Sequence, residues 1–540
     1  MSRKTLFYQK RILLQFPFDM NLITEIKALK GAEFRSKVVK KKKNGKVGVK
    51  KNVWLVDCDK LNIKKLEELK FEISDATRKG VEKDELVLKE IGNIEGLNAT
   101  LYPYQKESLS FLEAVNGRGL LALDAGLGKT ISSLAYIQMK RNEINKTLII
   151  CPSCVKVMWG RESKKWIGQK AQILSGRKPY KIDKNLVVIN YDVVAYWQKE
   201  LIKEGYDTII IDEIHYLANP KSKRSKAIKE ISKKSNRVVG LSGTPIRSKP
   251  SELFNPLQII NKNIFPVKRA YEKRYCNAYE SKWGWDCTGS SNLEELNQIL
   301  KDTVMIRKRK QDVLKDLPSY RETIIPVQID RNEYDVIEND FKKWLEDNGK
   351  STPATVLTQI APLRMECLKQ KLPHVKDWID DFLNSGEKLV VFGVHKIGIA
   401  ELMKRYKDIA IKIDGSLSAE KKQNAVDKFI NDDECRIIFG NIQSIGTGTD
   451  GLQRVCNNAL FIQDPWTPSD KHQAISRLVR VGQKWSVNIY RMMAEYTFDY
   501  HIKNILEEKQ KTVDKAIEGG DSSVGKNINV IGELLKTFGK

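Results

Sequence analysis

The chain is 540 residues long, 41% of them hydrophobic and 30% charged, which describes several packed globular cores and excludes a disordered or fibrous protein. Lysine and arginine outnumber aspartate and glutamate by 94 to 68, a formal net charge of +26, so the expected partner is a polyanion, either nucleic acid or an anionic membrane surface. No run approaches the roughly 18 consecutive apolar residues that a membrane span requires, so a transmembrane protein is not expected.

The N-terminus, Met1-Ser2-Arg3-Lys4, leads into apolar pieces too broken for a secretory signal, so the chain is expected to stay inside a cell. Residues 1–75 hold strand-like runs at 12–16 and 53–56 around an amphipathic stretch at 22–29. Between them residues 37–51 carry eight lysines, with Asn44-Gly45, a hairpin-turn dipeptide, at the middle. This predicts a small α+β module with a basic hairpin. Lys41, Lys42 and Lys43 are its candidate polyanion contacts, because clustered ammonium groups near phosphates release counterions. Residues 76–98 are polar and read as a linker.

From residue 99 to 261 short apolar runs alternate with helical stretches, the pattern of a parallel sheet with crossover helices. Candidate strands lie at 120–123, 147–150, 186–189, 208–211 and 238–241. Residues 262–365 lose that rhythm and read as a helical insert with aromatic loops, and 366–505 recover it with strands near 389–392, 409–411, 436–439, 459–462 and 487–490. Residues 506–540 form a tail, a charged helix followed by Gly519-Gly520-Asp521-Ser522-Ser523. The fold class is therefore α/β, two parallel-sheet lobes with helical inserts beside the N-terminal module.

The first strand of lobe 1 runs into Asp124-Ala125-Gly126-Leu127-Gly128-Lys129-Thr130 and a helix. Gly126 and Gly128 permit a tight loop whose amides face a phosphate, the helix N-terminus adds its dipole, Lys129 reaches the β- and γ-phosphates, and Thr130 suits Mg²⁺. Leu123 stands where the full P-loop pattern has glycine. The strand at 208–211 ends in Asp212-Glu213-Ile214-His215, two carboxylates at the C-terminal edge of a parallel sheet, where ligands bind. Asp212 suits metal coordination, and Glu213 suits orienting and deprotonating a water. Ser242-Gly243-Thr244-Pro245 adds hydroxyls and a rigid turn after the next strand. In lobe 2, Arg477 and Arg480 stand three apart within residues 473–483, on one face if helical, and two guanidiniums suit the spread charge of phosphoryl transfer. The eight cysteines are scattered, and only Cys151-Pro152-Ser153-Cys154 has a chelating spacing; with no second close pair it reads as two plain thiols. Trp283, Trp285 and Trp466 could stack on bases, but core packing is the simpler reading.

The order of these elements resembles the Swi/Snf-type superfamily 2 DNA translocases over about residues 100–505. The matching elements are Leu101-Tyr102-Pro103-Tyr104-Gln105, the P-loop, Ile150-Cys151-Pro152-Ser153, Asp212 to His215, Leu241 to Pro245, Val390-Val391-Phe392, Ile413-Asp414-Gly415-Ser416, Gly446 to Leu452 and Gln473 to Gln483. The resemblance implies two RecA-like lobes, ATP and Mg²⁺ as cofactors, and DNA-dependent ATPase activity. Lys129, Asp212, Glu213, Arg477 and Arg480 would be catalytic. Gln105, Gly126, Gly128, Lys129, Thr130 and Gln473 would bind the nucleotide, Thr130 and Asp212 the metal, and Ser153, Thr447 and Thr449 the DNA. Residues 274–278, 283–286 and 290–296 resemble the insert of HepA-related annealing helicases, and residues 16–19, Gly31 and 53–56 resemble their HARP module. The subgroup implies a monomeric translocase that remodels double-stranded or branched DNA, with single-strand-binding proteins as further partners and no membrane. It would be cytoplasmic in a bacterium or virus and nuclear in a eukaryote. Rival readings are a remodeller of protein–DNA complexes, a strand-separating helicase, and a hydrolysis-poor DNA-binding scaffold. Asp450, Val479 and Tyr102, which stand where the family has other residues, bear on the efficiency of coupling.

Overall fold

The computed structural model describes residues 3–8, 11–17, 19–29, 32–41, 47–57, 60–75, 77, 86, 88–281, 284–314, 318–347, 353–446 and 451–518. The N-terminal module is an antiparallel sheet in the order β1 (Lys4–Tyr8), β2 (Arg11–Gln15), β4 (Val47–Asp57), β3 (Glu33–Lys41), with helices Met20–Lys27 and Lys60–Glu68. Ile12, Leu14, Leu22, Ile26, Val56 and Leu66 share its small core, and Asp19 caps the first helix by accepting from the Asn21 and Leu22 amides. β3 and β4 pair from Lys37 opposite Lys51 to Lys41 opposite Val47, the two arms of the lysine-rich hairpin. Lys42 and Lys43 lie outside the described residues.

Lobe 1 is a seven-stranded parallel sheet. Its order is β13 (Met305–Lys308), β5 (Arg118–Leu123), β10 (Arg237–Leu241), β9 (Thr208–Asp212), β6 (Thr147–Cys151), β8 (Leu186–Asn190), β7 (Gln172–Ile173). The middle strands are uninterrupted Ile, Val and Leu runs because helices cover both faces and every side chain is buried, as in β6, β8 and β9. The register puts Leu241 opposite both Asp212 and Leu121, so β5, β10 and β9 end together and deliver Asp124, Ser242 and Asp212 to one edge. Lobe 2 is a six-stranded parallel sheet. Its order is β14 (Tyr320–Val327), β19 (Val487–Ala494), β18 (Asn458–Phe461), β15 (Leu389–Gly393), β17 (Ile437–Asn441), β16 (Ala410–Ile413).

The segment 262–365 differs from the helical reading. Besides helices and the short hairpin β11 (Tyr279–Ser281) and β12 (Gly284–Asp286), it supplies β13 to the sheet of lobe 1 and β14 to that of lobe 2. The last helix among the described residues, Phe498–Glu518, joins the lobes. Phe498, Ile502, Ile505 and Leu506 pack in a lobe 2 cluster, whereas Val513, Ala516 and Ile517 enter the core of lobe 1, where the Asn297 side chain donates to the Ile517 carbonyl at 2.6 Å. Among the described residues no helix is long and apolar enough to cross a membrane.

Candidate nucleotide site between the lobes

The loop after β5 is built by two glycines in the left-handed region, Gly126 at φ 91° and Gly128 at φ 77°, where a side chain would be strained. Gly128 caps the helix Lys129–Met139, and a Cβ there would lie 2.4 Å from Gln105 Nε2. Gln105 is buried and committed: its carbonyl oxygen accepts from the Tyr102 amide at 3.0 Å and its Nε2 donates to the Leu127 carbonyl at 3.2 Å. It thereby pins the loop to the helix Pro103–Ala114. Lys129 Nζ donates to the Leu123 carbonyl at 3.0 Å, below the loop. Burial pushes this ammonium below the ordinary lysine range, while Glu213, Asp212 and Asp124 pull the other way. Thr130 follows in the first helical turn.

At the end of β9, Trp159 Nε1 donates to Asp212 Oδ2 at 2.9 Å and the Tyr191 hydroxyl donates to the Asp212 carbonyl at 2.6 Å. Glu213 is held in the left-handed region, φ 51° and ψ 55°, a conformation that costs a non-glycine residue about 1–3 kcal/mol. The Ser242 hydroxyl donates to its carboxylate at 3.4 Å and His215 Nδ1 lies 3.3 Å away. Burial lowers His215 to about 3, so the ring is neutral near pH 7. Burial, and then the neighbouring Glu213 charge, raise Asp212 to about 6, against the Trp159 hydrogen bond and Lys129.

A carboxylate whose folded pKa lies above its unfolded one destabilises the fold when charged. That cost is fully present above pH 6 and is relieved as pH falls through 6 toward 4. Asp212→Asn is therefore expected to stabilise the ligand-free protein at pH 7.5 by on the order of 2 kcal/mol. Urea unfolding measures this, and the gain should shrink as the pH falls toward 4.

Lobe 2 closes over this edge. Thr244 Oγ1 and Ser469 Oγ lie 2.7 Å apart, and Arg247 Nη2 donates to both carboxylate oxygens of Asp470 at 3.0 and 3.1 Å. The helix Pro468–Ile475 carries Gln473 and ends before the arginines, so Arg477 and Arg480 sit on the turn that follows rather than on a helical face. A Cβ on Gly126 would lie 3.3 Å from Arg480 Cβ. The structure thus brings together Gln105, Gly126, Gly128, Lys129, Thr130, Asp212, Glu213 and Arg480, with Arg477 on the same turn as Arg480. Ser153 is exposed in the short turn after β6. Thr447, Thr449 and Asp450 lie outside the described residues.

Trp159, Tyr191 and Arg307 belong to the site and carry no motif of their own. Asp124 Oδ1 pairs with Arg307 at 2.7 Å, and Arg307 comes from β13, remote in sequence. Cys151 is buried, which pushes its thiol well above the usual range, and the seven described cysteines are free. Trp285 Nε1 donates to Glu272 at 2.9 Å, and Trp466 packs on Phe498 with Arg364 over its ring. Trp283 lies outside the described residues.

Two parallel-sheet lobes, with a P-loop on one facing paired arginines on the other, define a two-lobed RecA-like protein. Residues 104–372 match the family model described as SNF2-related domain, and residues 370–482 match that described as helicase conserved C-terminal domain. The chain belongs to the SNF2-related family of helicase-like proteins. It is 31% identical over 448 residues to the Bos taurus "SWI/SNF-related matrix-associated actin-dependent regulator of chromatin subfamily A-like protein 1", covering 78% of this chain and 45% of that one. It is 30% identical over 444 residues to the Homo sapiens "DNA annealing helicase and endonuclease ZRANB3", covering 78% and 41%. The chain thus spans under half the length of these curated relatives. A solved structure of the Sulfolobus solfataricus SWI2/SNF2 ATPase core in complex with dsDNA aligns at 22% identity and a TM-score of 0.40, covering 83% of this chain and 98% of that one.

Proposed function

We propose that this chain is an ATP-driven translocase on double-stranded DNA that remodels branched DNA, rewinding complementary strands and migrating junctions. The observation that carries the reading is the apposition of Gly126 and Arg480 across the lobe interface, beside Lys129, Asp212 and Glu213. Family membership and a relative whose name includes "DNA annealing helicase" support it.

The residues fit a magnesium nucleotide. The loop amides and the helix N-terminus at Gly128 face the phosphates, and the buried ammonium of Lys129 is held among three carboxylates until a triphosphate supplies counter-charge. Thr130 and Asp212 would hold Mg²⁺, which when bound would supply charge to offset that developing on the phosphates. Glu213 orients the attacking water and accepts its proton. As the water bonds to the γ-phosphorus, the bond to the β–γ bridging oxygen breaks, and Arg477 and Arg480 stabilise the spread charge. Gln473 would line the nucleotide from lobe 2. Ser153, Thr447 and Thr449 would grip the DNA backbone without reading bases. The module of residues 1–75, read as HARP-like, would add Lys41, Lys42 and Lys43 as phosphate contacts. Action as a monomer and contact with single-strand-binding proteins complete the reading.

ATP turnover measured with no DNA, single-stranded, duplex and forked DNA tests it. Stimulation greatest with the fork and abolished by Lys129→Ala is expected. Turnover indifferent to DNA would overturn the translocase.

A further inference from the structure

Lys310 is a cation that no sequence motif singled out. It follows edge strand β13, whose Lys308 pairs with Leu123 at the mouth of the P-loop. Its backbone amide donates to Asp124 Oδ2 at 3.0 Å, which fixes it to the first residue of the loop. Its side chain is buried, 9% exposed, and Nζ crosses the lobe interface to donate to the carbonyl of Val479, the residue before Arg480. A Cβ on Gly126 would lie 3.6 Å from Lys310 Cε and 3.3 Å from Arg480 Cβ, so both side chains cover the same glycine.

This is a poor arrangement for stability alone. A buried ammonium is destabilising unless well paired. Here one carboxylate, Asp124, is opposed by Arg480, Lys129 and Arg477, and burial lowers the ammonium to about 7. Arg307 crowds the same carboxylate. A group of cations converging on one loop is compensated when a polyanion enters it.

We propose that Lys310 is a positioning residue for hydrolysis, its bond to the Val479 carbonyl holding the turn 476–480 of lobe 2 against the P-loop so that Arg480 is delivered to the phosphates. The inference rests on the reading of the site as an ATPase. Nothing is transferred to or from Lys310; it acts through Arg480.

The test is steady-state ATP turnover of the full chain on forked DNA for Lys310→Ala, Lys310→Met and Lys310→Arg, alone and combined with Arg480→Ala. Misplacing the arginine is expected to lower kcat about 10²-fold in the alanine and methionine variants, with KM for ATP within about threefold. Arginine, which can still donate across the interface, is expected to recover most of the loss. In the Arg480→Ala background the methionine change should cost almost nothing, because the group it positions is gone. Methionine keeps the volume, so this variant carries the test if the alanine variant does not fold. A raised KM with unchanged kcat, or equal losses in both backgrounds, overturns the proposal. If the unaltered chain shows no turnover, or Lys129→Ala retains it, the ATPase reading itself fails. If those two behave as expected and the Lys310 variants match wild type, only the present inference fails.

Discussion

Replacing Arg480 by alanine is expected to lower DNA-stimulated ATP turnover by about 10³–10⁵-fold while leaving nucleotide affinity nearly unchanged. The size follows from position. Arg480 is packed against Gly126, at the loop that would cradle the phosphates, and comes from the opposite lobe. On the proposed reading its guanidinium would meet the charge that develops as the γ-phosphoryl group leaves, so its removal is expected to be felt in kcat rather than in binding. Arg480→Lys is expected to restore little, since an ammonium lacks the planar fork that spans two oxygens. Turnover on forked DNA and titration with a non-hydrolysable analogue measure the two quantities separately. An Arg480→Ala enzyme within tenfold of wild type would remove the arginine from the chemistry.

The largest effect on stability is expected within lobe 2. Lys371 has no exposed surface, and Nζ donates to the Ile462 carbonyl at 2.8 Å, the Met492 carbonyl at 3.0 Å and the carboxylate of Asp499. It ties the long helix Pro353–Leu383 to β19, to the residue after β18 and to the start of the helix Phe498–Glu518. Truncation removes the ion-pair partner of the largely buried Asp499 carboxylate and the ammonium donor to two carbonyls. Lys371→Ala is expected to cost about 3–5 kcal/mol, lowering the melting temperature of lobe 2 by about 10 °C. Calorimetry of the full chain reads this as early melting of one transition. A loss below about 1 kcal/mol would mean that water replaces the ammonium without penalty.

These two residues mark how far the sequence could be read. The central strands were legible because a parallel sheet covered on both faces needs continuous apolar runs, as in Thr208–Asp212. β13 and β14 were not, because edge strands tolerate mixed compositions such as Met-Ile-Arg-Lys and Tyr-Arg-Glu-Thr-Ile-Ile-Pro-Val. The P-loop and the Asp212-Glu213 pair were legible because each is a contiguous stretch whose chemistry is local. Trp159, Tyr191, Arg307 and Lys310 reach the site from separate elements, and only the register of the strands says that they meet. The spacing of Arg477 and Arg480 suggested a helical face. The helix stops at Ile475, and the two arginines follow on a turn.

The helix Phe498–Glu518 gives the pair of lobes a mechanical character. It is rooted in lobe 2 by Phe498, Ile502, Ile505 and Leu506 and seated in lobe 1 by Val513, Ala516 and Ile517. At about 1.5 Å per residue, the span from Leu506 to Ile517 is a strut of roughly 16 Å that does not stretch. Drawing the lobes fully apart would strip its last two turns from an apolar seat, at about 25 cal/mol for each Å² uncovered. Tilting about the strut uncovers far less of that apolar surface. The linkage therefore resists separation of the lobes more than it resists rocking.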